Sequence, residues 1–203
     1  MSQRVHHSRG PRLARAIAPW LILGCLPILP AQAEEVRSAR MLANTCAGCH
    51  GTLGASAGEV MPTIGGMDQE YLAGVLRDYK TDRRPSTIMG RIMRGYSDQE
   101  ISAIASFYAE QDWVSTDRVA VASDLGGAPE LHERYCESCH KDGGREQDAT
   151  SPRMAGQWAG YLEYAMLACR DGERCHPRKM KTRVTDLTDA EIAELARFYE
   201  SQK

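Results

Sequence analysis

Phenylalanine occurs only twice, at Phe107 and Phe198, and aromatic residues of all kinds make up 6% of the chain. A helical unit with so few large apolar side chains has little to build a core from. No stretch alternates apolar and polar residues well enough to be a strand, which leaves an all-α fold class. No Ser-His-Asp set, carboxylate pair or phosphate-binding loop stands out. Acidic residues are missing from the start of the chain: none precedes Glu34. That acid-free stretch carries Arg4, Arg9, Arg12 and Arg15, then the apolar run "AIAPWLILGCLPILP", then "AQA" at residues 31–33. A basic opening, an apolar middle and an A-x-A site predict a secretory signal peptide over residues 1–33. The run is too short and too broken by proline to span a bilayer, so no stable membrane insertion is expected after cleavage. The expected location is the periplasm.

The full chain has 25 basic and 27 acidic residues, and the leader holds four of the basic ones and no acid, so the remaining 170 residues carry a net charge of −6. That balance argues against nucleic acid or an anionic membrane as partner. Export to an oxidising compartment also makes free thiols unexpected unless they are put to use.

What is present is a repeat. "TCAGCH" at residues 45–50 returns as "YCESCH" at 135–140; "PTIGGMDQEYL" at 62–72 returns as "PRMAGQWAGYL" at 152–162; "SDQEISAIASFYAEQ" at 97–111 returns as "TDAEIAELARFYESQ" at 188–202. Three blocks in one order make two copies of one module. The expected boundaries are 34–115 and 128–203, with 116–127 as a linker of turn formers. Capping boxes at Ser97/Glu100 and Thr188/Glu191 open a helix in each copy. Ile101, Ile104, Ala105 and Tyr108 follow at helical spacing, as do Ile192, Leu195, Ala196 and Tyr199. A second helix is expected around Tyr71–Tyr79 with Asp68 as its cap, and around Tyr161–Met166. A third is expected before each cysteine pair, at Val36–Leu42 and Glu130–Arg134.

Cys46, Cys49 and His50, like Cys136, Cys139 and His140, form C-x-x-C-H, the attachment signature of c-type haem. Two thiols tether the porphyrin, the adjacent histidine ligates the iron, and the macrocycle supplies the missing core. A zinc knuckle would space its pairs far more closely than 49 and 136, and a thioredoxin-like redox pair needs a βαβ setting. Two haems, one per module, are therefore expected. A sixth ligand is sought among Met61, Met67, Met89 and Met93, and among Met154, Met166 and Met180. Met89 and Met180 each stand 8 residues before a capping box, in what reads as a loop, whereas Met93 has no partner in the second copy. The repeat favours Met89 and Met180 over the others and over His176. Pro62 and Pro152 also match, and a carbonyl there can hold the ring N–H of the haem-ligating histidine. Cys169 and Cys175, absent from the first copy, are expected to form a local disulfide.

The chain resembles dihaem c-type cytochromes. "STIMGRIMRGYS" (86–97), "AGQWAGYLEYAM" (155–166) and "TCAGCHGTLG" are similar to the cytochrome subunit of flavocytochrome c sulfide dehydrogenase. That resemblance implies Met89 and Met180 as iron ligands. It also implies a separate FAD-bearing subunit that oxidises sulfide, and a soluble cytochrome or similar acceptor that takes the electrons. This chain would carry electrons and do no sulfur chemistry itself. The alternative is a freestanding dihaem carrier of the cytochrome c-four class. A peroxidase-like enzyme would need one iron without its sixth ligand, which the matched methionines oppose.

Overall fold

In the computed structural model, residues 37–117, 125–172 and 178–203 are described, except for the side chain of Arg178. The expected leader, residues 118–124 of the linker, Cys175 and His176 lie outside the described residues.

The first module opens with α1 (Ala39–Asn44), where the Ser38 side chain accepts a hydrogen bond from the Met41 amide as N-cap. The helix begins later than the apolar pattern suggests because Ser38 satisfies one of the free amides that any helix start exposes. Next come α2 (Ala47–His50), a 3-10 turn (Thr52–Gly54), α3 (Gln69–Lys80), α4 (Met89–Met93) and α5 (Asp98–Ala109). Asp68 caps α3 through the Tyr71 amide, and Arg77 and Lys80 sit in its last turn, where positive charge complements the helix dipole. The second module repeats the plan. α6 (Ala128–Leu131) runs into a π-helical turn (His132–Cys136), followed by α7 (Lys141–Gly144), α8 (Ala159–Arg170), α9 (Arg178–Val184) and α10 (Asp189–Ser201). Both capping boxes are formed, so α5 and α10 start where the sequence signal stands. α8 starts without a capping side chain of its own; Glu200 of α10 reaches over to accept from the Ala159 amide at 3.0 Å. Among the described residues there is no strand.

α5 packs on α1 and α3, and α10 on α6 and α8. The expected stripes face inward: Ile101, Ile104, Ala105 and Tyr108 in one module, and Ile192, Leu195, Ala196 and Tyr199 in the other, are all buried. Each large side chain so buried contributes about 1.5–3 kcal/mol. The buried clusters of the two halves share no member, so each module has its own core. Two glycines set the loop between cysteine motif and proline. Gly54 (φ 81°) and Gly144 (φ 82°) lie in the left-handed region, and their carbonyls each accept two amides, from Ile64 and Gly65 and from Met154 and Ala155. A Cβ on Gly54 would come within 2.9 Å of the Tyr108 ring, and one on Gly144 within 3.0 Å of the Tyr199 ring.

The modules meet through two glutamines of the second. Gln157 accepts from the Thr63 amide and donates to the Thr63 carbonyl, both at 2.9 Å, with both residues 1% exposed. Gln147 accepts from the Asp68 amide and donates to the Gly66 carbonyl, again at 2.9 Å. Trp158 donates its indole N–H to the Ser56 carbonyl, and Thr116 donates its amide to the Gly156 carbonyl. Arg153 lies over the Trp113 ring at 5.2 Å.

Candidate functional site

One turn of chain carries each cysteine motif. The amides of Cys49 and His50 both bond to the Cys46 carbonyl, at 3.2 and 3.0 Å; those of Cys139 and His140 bond to the Cys136 carbonyl, at 3.0 and 2.9 Å. This places two thiols and one imidazole on successive faces of a single turn. Cys46 packs against the first module's core and Cys136 against the second's, so each motif belongs to its own module. Neither pair is disulfide-bonded. Burial pushes the Cys46 and Cys136 thiols up, away from the thiolate that an exchange-active pair uses.

His50 is buried, and its Nδ1 lies 2.9 Å from the Pro62 carbonyl. A carbonyl only accepts, so Nδ1 carries the proton and Nε2 presents its lone pair. Burial also pushes both His50 and His140 down, towards the neutral form a metal needs, with the carbonyls of Pro62 and Pro152 opposing the shift. The two copies differ here: the Pro152 carbonyl faces the His140 ring, yet buried Nδ1 makes no hydrogen bond of normal geometry.

Behind each first cysteine stands a tyrosine. The Tyr108 hydroxyl donates to the Ala43 carbonyl at 2.8 Å and lies against the Cys46 sulfur. Tyr199, in the same place of the repeat, meets His132 Nδ1 at 2.7 Å and the Cys136 sulfur. Burial pushes both phenols up, so they stay protonated. The sequence shows these tyrosines only as members of a helical stripe that recurs in both copies.

In the second module, Cys136, Cys139, His140 and Met180 all line one cavity of about 800 Å³. That lies within the roughly 300–1,000 Å³ typical of cofactor pockets. Met154 and Met166 line it too, but belong to the buried core, whereas Met180 is partly buried at its edge. Met89 is partly buried against Tyr79, Met93 and Ile101. Met93 is 1% exposed and Met67 5%, both as core residues, and Met61 is half-buried. Met89 opens α4 and Met180 lies within α9, so neither is in a loop as its spacing suggests. For α4 the Ser86 hydroxyl accepts from the Gly90 amide at 2.7 Å and starts the turn. Cys169 is disulfide-bonded; its expected partner Cys175 lies outside the described residues. The cysteine pairs, the imidazoles pushed toward the neutral form and, in the second module, the apolar cavity fit a covalent macrocycle whose iron a histidine would hold.

Residues 36–110 match the family model described as cytochrome c, and residues 127–198 the one described as cytochrome C oxidase, cbb3-type, subunit III. Over 68 residues the chain is 46% identical to the cytochrome subunit of sulfide dehydrogenase from Chlorobaculum tepidum, a match over 34% of this chain and 61% of that relative. Over 170 residues it is 29% identical to the thiosulfate dehydrogenase electron acceptor of Stutzerimonas stutzeri, a match over 77% of this chain and 78% of that one. The crystal structure of reduced cytochrome c4 from Pseudomonas stutzeri shares the fold, with a TM-score of 0.71 at 22% identity over 82% of this chain and 99% of that one.

Proposed function

From a chain that belongs to the cytochrome c family, as two such domains in tandem, each with one covalent haem c, we propose an electron-transfer subunit that serves a FAD-bearing sulfide dehydrogenase and delivers to an external cytochrome or similar acceptor. It is a dihaem electron carrier; the donor is the proposed part. The observation that carries the proposal is the 46% identity to the sulfide dehydrogenase cytochrome subunit. The leader composition supports export to the periplasm.

When bound, each haem supplies a one-electron couple at its iron. The chain does the rest. Cys46 with Cys49, and Cys136 with Cys139, tether the two groups. His50 and His140 would each supply one iron ligand, and Met89 and Met180 the other. A thioether ligand would raise the reduction potential, and an iron holding both protein ligands would leave no seat for substrate. The Pro62 carbonyl holds the His50 ring in its ligating tautomer.

The test is to purify the untagged protein from its native compartment, look for a co-purifying flavoprotein, then add sulfide and record the haem spectrum. Flavin with rapid haem reduction is the expected result. A lone dihaem protein inert to sulfide overturns the reading in favour of the freestanding carrier. That second reading is favoured by extent: the match to cytochrome c4 of Thiocapsa roseopersicina runs over 163 residues, against 68.

A further inference from the structure

The cavity that receives the second haem is not built by the second module alone. Met67, Tyr71 and Arg84 of the first module line it beside Cys136, Cys139 and His140. Its lining also holds Arg153, Lys179 and Arg183, and among these residues there is no aspartate or glutamate. Four cationic side chains and no carboxylate face one space. Lys179 and Arg183 are exposed, whereas Arg84 and Arg153 are half-buried, with the Arg153 Nε shut off from solvent.

Arg84 lies on the connection between α3 and α4. Its Nε donates to the Tyr79 hydroxyl at 3.2 Å, and its guanidinium stands over the Tyr79 ring at 5.5 Å, near Tyr71 and Tyr161. Among the described residues it has no ion-pair partner, and its two terminal amines make no recorded hydrogen bond. Arg153 is in the same state: its buried Nε has no partner. A guanidinium partly shielded from water without an anion carries a desolvation cost that a carboxylate would offset. Arg presents a planar fork suited to a carboxylate. Haem c brings two carboxylates on its propionate arms.

We propose that Arg84 of the first module, seconded by Arg153, is the counter-charge for the carboxylates of the second module's haem. The first module thereby sets part of the redox poise of the second. A positive charge beside the haem disfavours the oxidised, more positive iron, so its removal lowers the reduction potential. The inference concerns the second haem and is independent of which donor the protein serves.

The experiment is a spectroelectrochemical titration of the full chain with both haems in place. The second module's wave is identified as the one that Met180→Ala displaces. Arg84→Gln is expected to move that wave to lower potential and leave the other where it is. Arg84→Lys, which keeps the charge, recovers most of the shift and serves if the Gln variant folds poorly. Arg183→Gln, at an exposed cation of the same cavity, is expected to move it less. A wave that stays put in Arg84→Gln, or a shift confined to the first module's wave, overturns the proposal.

Discussion

Tyr108 and Tyr199 occupy one place in the repeat but hold different partners. Tyr108 serves a backbone carbonyl, whereas Tyr199 serves a buried histidine, His132, whose other nitrogen pairs with Glu137. Removing the hydroxyls therefore has unequal cost. Tyr108→Phe should lose about 1 kcal/mol, the net worth of one hydrogen bond, while Tyr199→Phe leaves a buried imidazole nitrogen unsatisfied and should lose about 1–3 kcal/mol. Denaturant unfolding of the two variants gives both values directly. The methionines divide in the same way. Met93→Ala empties a core position and should cost about 2–5 kcal/mol while leaving the iron ligands intact. Met89→Ala should abolish a near-infrared thioether–iron band at little cost in stability; an unchanged band removes Met89 from the ligand set. The cysteine motifs were legible because they recur. Arg84 and Gln157 were not. Arg84 sits in "TDRRPS", outside every repeated block, and Gln157 aligns with Met67 inside one, where an apolar neighbour hides a polar role.

At the scale of elements, helix starts are the most legible feature, since a cap is a local hydrogen bond between near neighbours. Ser97/Glu100 and Thr188/Glu191 form as read. The start of α8 is set by Glu200, 41 residues away, and no local pattern announces it. The capping carboxylates also carry a pH dependence. Backbone hydrogen bonding at Ser97 and Thr188 holds Glu100 and Glu191 below the ordinary value of 4.5. A carboxyl depressed in the folded state stabilises above its unfolded pKa, and that contribution fades as pH falls below about 4.5 through the folded value. The Glu100→Gln/Glu191→Gln double variant keeps both amide-oxygen caps. Its stability should therefore trail the parent near neutrality and converge with it in acid, as thermal unfolding at a series of pH values will register. A constant gap across that range would assign the depression no part in folding.

At the scale of the molecule, the sequence displays two modules but not their embrace. Residues 36–203 form one compact unit, and the amide of Gln157 supplies two of its seams, at a position 1% exposed. Gln157→Ala strands the buried amide and carbonyl of Thr63, at about 1–3 kcal/mol each. The parent should melt in a single calorimetric transition and the variant in two, one per module; two transitions in the parent would deny the junction that strength.

That same junction joins unlike residues at like positions. Where the second module has Gln157 the first has Met67, and where the first has Thr63 the second has Arg153. Two first modules set face to face would offer a thioether in place of the bridging amide. Two second modules would have to bury a guanidinium in the place of Thr63. A duplicated chain always risks concatenation, one molecule's module seated on another's twin. Here each copy can tell its sister from itself, so an exchange of modules between molecules through this junction would pair unlike halves.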